Sequence, residues 1–212
     1  MSRPKIMTIY GTRPEAIKVA PIITALDRDE RFESIAVSTG QHREMLEQVN
    51  TMFGIEPKLD LHLMVPGQGL NQIVSRALVG LDEIIDAEKP DVIIAQGDTS
   101  TAMAAALAGF HRGVKIVHLE AGLRTGDIDS PFPEEANRKI ISQVAKLHLA
   151  PTEGSMENLR RENVRSKDIA VTGNTVIDAL LEAASWNTEF EDPALQEAAA
   201  SDKRLVVVTT HR

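Results

Sequence analysis

The sequence predicts an α/β protein built on a doubly wound parallel sheet. Short apolar runs end at Gly or polar turns, amphipathic helical patterns separate them, and the two kinds of segment alternate along the chain. Strands buried on both faces are typically continuous apolar runs, and helical crossovers make their sheet parallel. With 212 residues, of which 42% are hydrophobic and 25% charged, the chain is long enough for one large domain or two smaller ones.

The first half of the chain contains four predicted strands, at 5–10, 33–38, 91–96 and 115–120. Helical patterns follow them or lie between them, at 14–26, 42–55, 70–89 and 99–110. Pro14 suits a first helical turn, where its missing N–H would have no partner, and Pro21 predicts a kink in that helix. The alanines of 99–110 favour close packing of that helix on the sheet.

The second half continues the alternation. We predict a helix at 134–147, a short strand within 145–152, a helix at 152–163 begun by a Thr or Ser cap, and a strand and helix within 169–184. A short surface helix lies in the polar segment 189–203, and KRLVVVTTHR reads as a final strand with no helix after it. We therefore expect a doubly wound domain over 1–172, and over 173–212 the beginning of a further part whose remainder is missing.

Composition excludes several classes of function. The formal net charge of −8 argues against nucleic acid as a partner, because that affinity depends on Lys and Arg. There is no cysteine, and the six histidines show no HExxH or similar spacing, so we expect no metal site. No apolar run is long enough for a signal peptide or a membrane span, so we expect a cytoplasmic protein without a membrane partner.

The first candidate site follows the first strand, in YGTRPEAIK. Free N–H groups at a helix start attract anions, and Arg13 would add a planar donor for a diphosphate, with Lys18 one turn further on. The alternative is that Gly11 only permits the turn and both cations are solvated. The segment lacks the GxGxxG fingerprint, which argues against a nicotinamide cofactor.

Two more strand ends carry acids. Asp98 follows a strand in AQGDTSTAM and would serve either chemistry or the capping of the next helix, although Thr99 is also a suitable cap. Glu120 ends the strand before HLEAGLRTGDIDSPFPEEAN, and Glu134 starts the next helix, where a first-turn acid is also a common structural feature. We interpret Asp127, Asp129 and Glu135 of this stretch as surface charges.

Ligands of open α/β sheets bind at the carboxyl ends of the strands. We therefore expect Arg13, Asp98, Glu120 and Glu134 to converge on one cleft, which is suited to acid–base chemistry on a phosphorylated polyol.

The chain also resembles a known family. The segments YGTRPEAIKVAP, STGQHREML, PGQGL, KPDVIIAQGDTST, VHLEAGLRTGDIDSPFPEEANR, GNTVIDALL and VVTTHR, in this order, are similar to those of the bacterial non-hydrolysing UDP-N-acetylglucosamine 2-epimerases. The resemblance covers essentially the whole chain. It implies two Rossmann-like domains in the glycosyltransferase-B arrangement, of which this chain would be the N-terminal one and the start of the second.

The resemblance implies interconversion of UDP-N-acetylglucosamine and UDP-N-acetylmannosamine by elimination and re-addition of UDP through a 2-acetamidoglucal. By motif match, Asp98, Glu120 and Glu134 take acid–base and electrostatic roles, and His211 is a contribution from the second domain. Which acid removes the proton stays open. Arg13 matches the diphosphate-contacting arginine of the family, and no cofactor is implied.

The family is also activated by its own substrate at a neighbouring site. Gln41 and Gln68 match positions that contact this second nucleotide sugar, although Gly67 stands where the family often has Arg or Lys. The resemblance further implies a homodimer. It places most uridine and diphosphate contacts in the second domain, so inactivity of this polypeptide alone is an open alternative.

Three other functions are compatible with these residues. A glycosyltransferase of the same architecture would need an acceptor pocket, and a hydrolysing 2-epimerase would release free N-acetylmannosamine. A non-catalytic nucleotide-sugar sensor or dimerisation module would bind UDP or its sugar without turnover.

Overall fold

The computed structural model describes residues 3–40, 43–63, 65, 67–186, 190 and 192–208. Its centre is a seven-stranded sheet, parallel throughout, with the strand order β3-β2-β1-β4-β5-β6-β7. The strands are β1 (Lys5–Tyr10), β2 (Glu33–Ser38), β3 (Leu59–Asp60), β4 (Val92–Gln96), β5 (Lys115–Leu119), β6 (Leu147–Ala150) and β7 (Ile169–Val171). The predicted α/β class and parallel sheet are confirmed, and only the two-residue β3 was missed.

Helices connect the strands in the predicted order. They are α1 (Arg13–Asp27), α2 (Arg43–Phe53), α3 (Leu70–Glu88), α4 (Ser100–His111), α5 (Glu134–Val144), α6 (Glu153–Arg161), α7 (Thr175–Ala184) and α8 (Pro193–Ala200), with a 3₁₀ turn at Ser166–Asp168. Pro14 lies in the first turn of α1, and Pro21 lies inside this helix, which continues to Asp27. Thr152 caps α6 by accepting a hydrogen bond from the Ser155 N–H. Among the described residues, no helix is both long and apolar enough to cross a bilayer.

Both faces of the sheet are covered, as a doubly wound fold requires. Met7 and Ile9 of β1 pack in a core with residues of α3, α4 and α5, whereas Tyr10 packs in a second core with residues of α1 and α2. Alternate residues of a strand point to opposite faces, so one buried strand contributes to both cores. Apolar burial on both faces therefore holds β1 and its neighbours at the middle of the sheet.

Helix α4 lies close against the sheet, as its small residues predict. A Cβ atom at Gly109 would come within 2.5 Å of Ile116 Cδ1 and 2.7 Å of Ile93 Cδ1. A larger residue at this position would therefore require the two isoleucine side chains to move. This contact lies in the last turn of α4, whose first residue, Ser100, follows Asp98 by two positions.

The chain forms two compact units, Met1–Ala179 and Leu180–Arg212. In the second unit, Asp192 caps α8 by accepting a hydrogen bond from the Ala194 N–H at 2.8 Å. The final predicted strand is wrong over its described part: residues 204–208 are irregular, and Val207 is 86% exposed. A strand requires a partner for its backbone hydrogen bonds, and within the described ranges none pairs with this segment.

Candidate functional site

The predicted site residues gather at the carboxyl end of the sheet. Strands β1, β4 and β5 are adjacent and parallel, and the loops that leave them carry Arg13, Asp98 and Glu120. Glu134 is the first residue of α5, and one turn later Arg138 reaches back to Asp98. The sequence-based expectation that these loops share one edge of the sheet agrees with this geometry. The acidic cluster below means Asp98, Glu120 and Glu134.

The loop after β1 is organised by Glu15. Its carboxylate accepts hydrogen bonds from the Gly11 N–H at 2.8 Å and the Thr12 N–H at 2.7 Å, and also from Thr99 Oγ1 at 2.6 Å. Glu15 is 3% exposed, and burial raises its pKa above the usual value, although these hydrogen bonds oppose the rise. The same residue therefore ties the loop that carries Arg13 to the start of α4.

This arrangement corrects part of the predicted anion site. Backbone N–H groups around the start of α1 were expected to attract an anionic ligand, but the chain's own Glu15 carboxylate accepts from those of Gly11 and Thr12. Arg13 is exposed, and its guanidinium makes no ion pair with any residue in the described part of the chain. A phosphate at this loop would therefore depend on side chains, above all on Arg13.

Glu120 lies at the centre of a polar network. It has a left-handed backbone conformation, with φ of +63°, which is uncommon for a residue other than glycine. Its Oε2 atom accepts from Lys18 Nζ at 2.5 Å and from Gln96 Nε2 at 2.6 Å, and its Oε1 atom accepts from Asn174 Nδ2 at 2.8 Å. Lys18 is thus paired with an acid of the cluster, and the alternative that it is merely solvated is wrong.

Asp98 is held by Arg138. The carboxylate accepts from Arg138 Nε at 2.8 Å and lies 2.6 Å from Nη2, while the main-chain oxygen of Asp98 accepts from Asn137 Nδ2 at 2.8 Å. The cap of α4 is Thr99, whose side chain accepts from the Ala102 N–H. The alternative in which Asp98 caps the helix is therefore wrong, because Thr99 has that role.

Buried His118 supports the turn before Asp98. Its Nε2 atom lies 2.7 Å from the carbonyl oxygen of Gly97, which can only accept, so Nε2 carries the proton. Burial lowers the pKa of His118 to about 4, and the nearby charges of Arg124 and Arg138 act in the same direction. The ring is therefore neutral near pH 7 and donates a permanent hydrogen bond to the Gly97 turn, whose φ is +70°.

The two glutamates at the start of α5 have different surroundings. Glu134 is half-buried and makes no hydrogen bond or ion pair with the residues that the structure describes. Glu135 is fully buried and accepts from the Thr125 N–H at 3.2 Å and from Arg138 Nη1 at 3.1 Å. The interpretation of Glu135 as a surface charge is wrong, because this carboxylate is buried between the loop at Thr125 and the side chain of Arg138.

The other predicted residues lie elsewhere or outside the description. Asp127 and Asp129 are exposed, as expected. Gln68 precedes α3, and its Oε1 atom accepts from Arg76 Nη1 at 3.4 Å in a cavity of about 280 Å³, with no contact to the acidic cluster in the described ranges. Gln41 and His211 lie outside the described residues.

Three residues that bond to carboxylates of the acidic cluster in the described structure were not predicted: Gln96, Arg138 and Asn174. A sequence signal existed for two of them. Arg138 lies three residues after Glu135 in EEANR, at a spacing that pairs side chains on a helix, and Asn174 lies in the quoted segment GNTVIDALL. Gln96 ends an otherwise apolar strand. Their partners, however, come from distant parts of the chain, so only the folded structure shows what they contact.

Comparison with known proteins identifies what the chain is similar to. The model of the UDP-N-acetylglucosamine 2-epimerase family matches residues 24–212. A UDP-N-acetylglucosamine 2-epimerase of Salmonella typhimurium is 48% identical over 217 residues, which cover 98% of this chain. The chain spans 57% of the length of that relative.

Solved structures agree with the sequence comparison. A UDP-GlcNAc 2-epimerase from Neisseria meningitidis, crystallised with UDP-GlcNAc, is 46% identical with a TM-score of 0.82, over 84% of this chain and 48% of that one. A structure described as a putative UDP-N-acetylglucosamine 2-epimerase from Listeria monocytogenes is also 46% identical, with a TM-score of 0.88, over 94% of this chain and 52% of that one.

Proposed function

This chain belongs to the UDP-N-acetylglucosamine 2-epimerase family, and we propose that it interconverts UDP-N-acetylglucosamine and UDP-N-acetylmannosamine without releasing free sugar. The observation that carries this proposal is the grouping of the acidic cluster with Lys18 and Arg13 at the carboxyl end of adjacent parallel strands. Such a site brings acid–base groups and cations to a sugar and its diphosphate at the same time.

The proposed reaction is an elimination followed by an addition. The bond between C1 and the UDP oxygen breaks, a base takes the proton from C2, and a C1–C2 double bond forms, which gives UDP and 2-acetamidoglucal. A proton then adds to the opposite face of C2, and the UDP oxygen bonds to C1 again. Atoms and oxidation state are unchanged overall, so we propose no cofactor.

The C2 hydrogen is only weakly acidic, which makes early departure of UDP necessary. As the C1–O bond stretches, positive charge develops on the sugar ring, and fixed carboxylates stabilise this charge. Asp98 and Glu120 suit this electrostatic role, because Arg138 holds the first and Lys18, Gln96 and Asn174 hold the second. Both carboxylates would remain in place while the bond breaks.

Glu134 is the best placed proton-transfer group of the acidic cluster. Its half-buried carboxylate makes no hydrogen bond with the residues described, so it is available to accept a proton from C2 and to turn between two positions. Re-addition of a proton to the other face of C2 needs a second group, and we propose His211 for this contribution by motif match.

The cations of the site suit the diphosphate. Arg13 is exposed and free of ion pairs in the described ranges, and its planar guanidinium can bind two phosphate oxygens. Lys18 is bonded to Glu120, and an ammonium group can contact a phosphate oxygen with another of its protons. We propose that both bind UDP and balance its charge as it leaves.

The remaining features of the family are proposals for this chain. Gln41 and Gln68 would bind a second, activating nucleotide sugar, and Gln68 has Arg76 beside it in place of the missing cation at Gly67. The protein would act as a cytoplasmic homodimer. Its chain would comprise a Rossmann-like domain over 1–172 and the first part of a second over 173–212.

Isotope exchange tests the proposal. The purified protein is incubated with UDP-N-acetylglucosamine in deuterated water, and we expect UDP-N-acetylmannosamine to form and deuterium to appear at C2 of both sugars. Absence of deuterium at C2 would contradict the proposal and favour a glycosyltransferase or a non-catalytic binder. Release of free N-acetylmannosamine with UDP would instead identify a hydrolysing enzyme.

A matched pair of variants tests the role of Glu134. Loss of a positioned general base typically slows a reaction by about 10²- to 10⁴-fold, so Glu134→Gln should reduce exchange at C2 by about this factor. Asp129→Asn removes an exposed carboxylate from the same loop region and should leave exchange unchanged. Equal rates in the two variants would remove Glu134 from the mechanism.

A further inference from the structure

The segment Gly173–Asn174–Thr175, which includes the first residue of α7, contacts two residues of the site from a distant part of the chain. Asn174 bonds to Glu120, 54 residues away, and Thr175 bonds to Lys18, 157 residues away. We infer that Asn174 and Thr175 are positioning residues that hold the Lys18–Glu120 ion pair in its reactive arrangement. This inference rests on the proposed function for its catalytic consequence, whereas its structural part is independent of that function.

The first turn of α7, the helix that follows Asn174, orients the Asn174 side chain. Its Oδ1 atom accepts a hydrogen bond from the Val176 N–H at 3.1 Å, so the other end of the amide, the Nδ2 donor, must face Glu120. Nδ2 then donates to Glu120 Oε1 at 2.8 Å. Because the other carboxylate oxygen already accepts from Lys18 and Gln96, Asn174 fixes the remaining free end of the group.

Thr175 holds the other partner of the ion pair through the main chain. Its hydroxyl donates to the carbonyl oxygen of Lys18 at 2.6 Å, so it holds the backbone of α1 at the residue that carries the Lys18 side chain. The two hydrogen bonds therefore act on opposite partners, one on the carboxylate and one on the backbone that carries the ammonium. Together they limit how far Lys18 and Glu120 can move relative to each other.

Little else holds this segment. Strand β7 lies at the edge of the sheet and pairs only with β6 in the described structure. Ala179 is the buried residue of α7, and Gly173 is exposed with φ of +80°. Apolar packing therefore contributes little near Asn174 and Thr175, which gives their polar contacts a larger share in placing the segment.

A catalytic consequence follows from the geometry. Small displacements of reacting groups, on the order of 1 Å, reduce rates by about 10²-fold. Lys18 and Glu120 retain side-chain exposures of 24% and 11%, and polar contacts hold both groups, so loss of a contact would leave room for the ion pair to shift. We expect loss of either contact to slow turnover more than it weakens substrate binding.

The test compares Thr175 with nearby Thr172. Thr175→Val removes the hydroxyl that contacts Lys18, and Thr172→Val removes a hydroxyl that, among the described residues, bonds only to the neighbouring Gly173 carbonyl. For Thr175→Val we expect kcat for UDP-N-acetylglucosamine to fall roughly 10- to 100-fold with KM changed by less than about threefold. Thr172→Val should match the wild type, and Thr175→Ser, which keeps the hydroxyl, should restore the rate.

Asn174→Asp tests the second contact. The substitution keeps the size and the Oδ1 acceptor, but it replaces the donor that faces Glu120 with a carboxylate oxygen. We expect the same pattern of a lower kcat and a nearly unchanged KM. Circular dichroism establishes that each variant is folded before its kinetics are compared.

A second readout needs no enzymatic activity. Trace acetylation with acetic anhydride, followed by peptide mass spectrometry, measures the reactivity of Lys18 relative to exposed Lys89. Loss of one hydrogen bond shifts a local equilibrium by roughly two- to tenfold, so Lys18 should react faster by about this factor in Thr175→Val. Thr172→Val should leave the ratio unchanged.

The outcomes separate the two proposals. Unchanged Lys18 reactivity in Thr175→Val overturns the inference, whatever happens to kcat. If Lys18 reacts faster in the variant but the wild-type protein forms no UDP-N-acetylmannosamine, the positioning role is supported and the proposed function is contradicted. Increased reactivity together with unchanged kcat shows that the contacts hold the ion pair but have no effect on catalysis, which refutes the catalytic part.

Discussion

The neutral, buried ring of His118 predicts a specific loss of stability in acid. The folded protein holds the pKa of His118 at about 4, whereas an unfolded chain has a value near 6.5. Below about pH 6.5 the unfolded state therefore binds a proton that the folded state does not, and stability falls as the pH falls. The full contribution of His118 is present above pH 6.5 and is lost progressively down to about pH 4.

The magnitude follows from the two pKa values. Their separation corresponds to about 3 kcal/mol in total, and to about 2 kcal/mol over the interval from about pH 7.5 to about pH 5. Burial is the largest cause, and the charges of Arg124 and Arg138 and the ring of His148 act in the same direction. The hydrogen bond to Gly97 opposes the shift, because it is made by the ring nitrogen that keeps its proton.

The assay is urea unfolding of the wild type and of His118→Gln at both pH values. Gln keeps a donor for the Gly97 carbonyl but does not titrate, so the variant should lose about 2 kcal/mol less than the wild type on acidification. Glu15 and His148 titrate in both proteins, and their effects cancel in the comparison. His111→Gln, at an exposed position, should behave as the wild type.

The change in stability between the two pH values separates the effect of titration from the effect of packing. His118→Gln is expected to be less stable at both pH values because a core side chain has changed, and this constant loss carries no information on titration. An equal loss of stability on acidification in the wild type and in His118→Gln would refute the reasoning, since it would show that His118 does not titrate differently in the folded state.

Two further predictions concern packing. Gly122→Ala should destabilise the protein by about 3 kcal/mol or more, because its Cβ would lie 2.2 Å from the Ser155 carbonyl oxygen. Gly126→Ala, also at positive φ but in open space, should cost only about 1 kcal/mol. Equal losses of stability in urea unfolding would contradict the clash at Gly122. Leu81→Ala in the core should cost about 3 kcal/mol, because it leaves a cavity. Val79 lies on the same helix but is 65% exposed, so Val79→Ala should cost less than about 0.5 kcal/mol. Similar midpoints of thermal unfolding for the two variants would contradict this difference.

The secondary structure of the first unit could be predicted from the sequence. The mostly apolar runs at 5–10 and 33–38 match β1 and β2 in both bounds, because short runs of this kind that end at turns are typical of strands buried on both faces. The two-residue β3 gave no such signal, because its residues 59–60 depend on pairing with β2 rather than on their own pattern. The apolar run at 204–208 shows the converse, since a strong pattern forms no strand without a partner.

The location of the site could also be predicted, but its internal connections could not. Parallel strands end on the same side of a sheet, so Asp98 and Glu120 had to lie near each other once the strands were recognised. Glu135 could not be distinguished from a surface acid by its position in the helix. Its burial depends on Arg138 and on the loop at Thr125, which the tertiary fold brings to it.

The sequence by itself therefore determined the strands, the helices and the end of the sheet where polar residues collect, because these follow from local periodicity and from the direction of the chain. Only the tertiary structure decided which polar groups from distant parts of the chain are partners: that Arg138 holds Asp98, and that Asn174 and Thr175 reach Glu120 and Lys18. The physical reason is that a hydrogen bond depends on distance and orientation in space, and residues far apart in the chain carry no local pattern that specifies either.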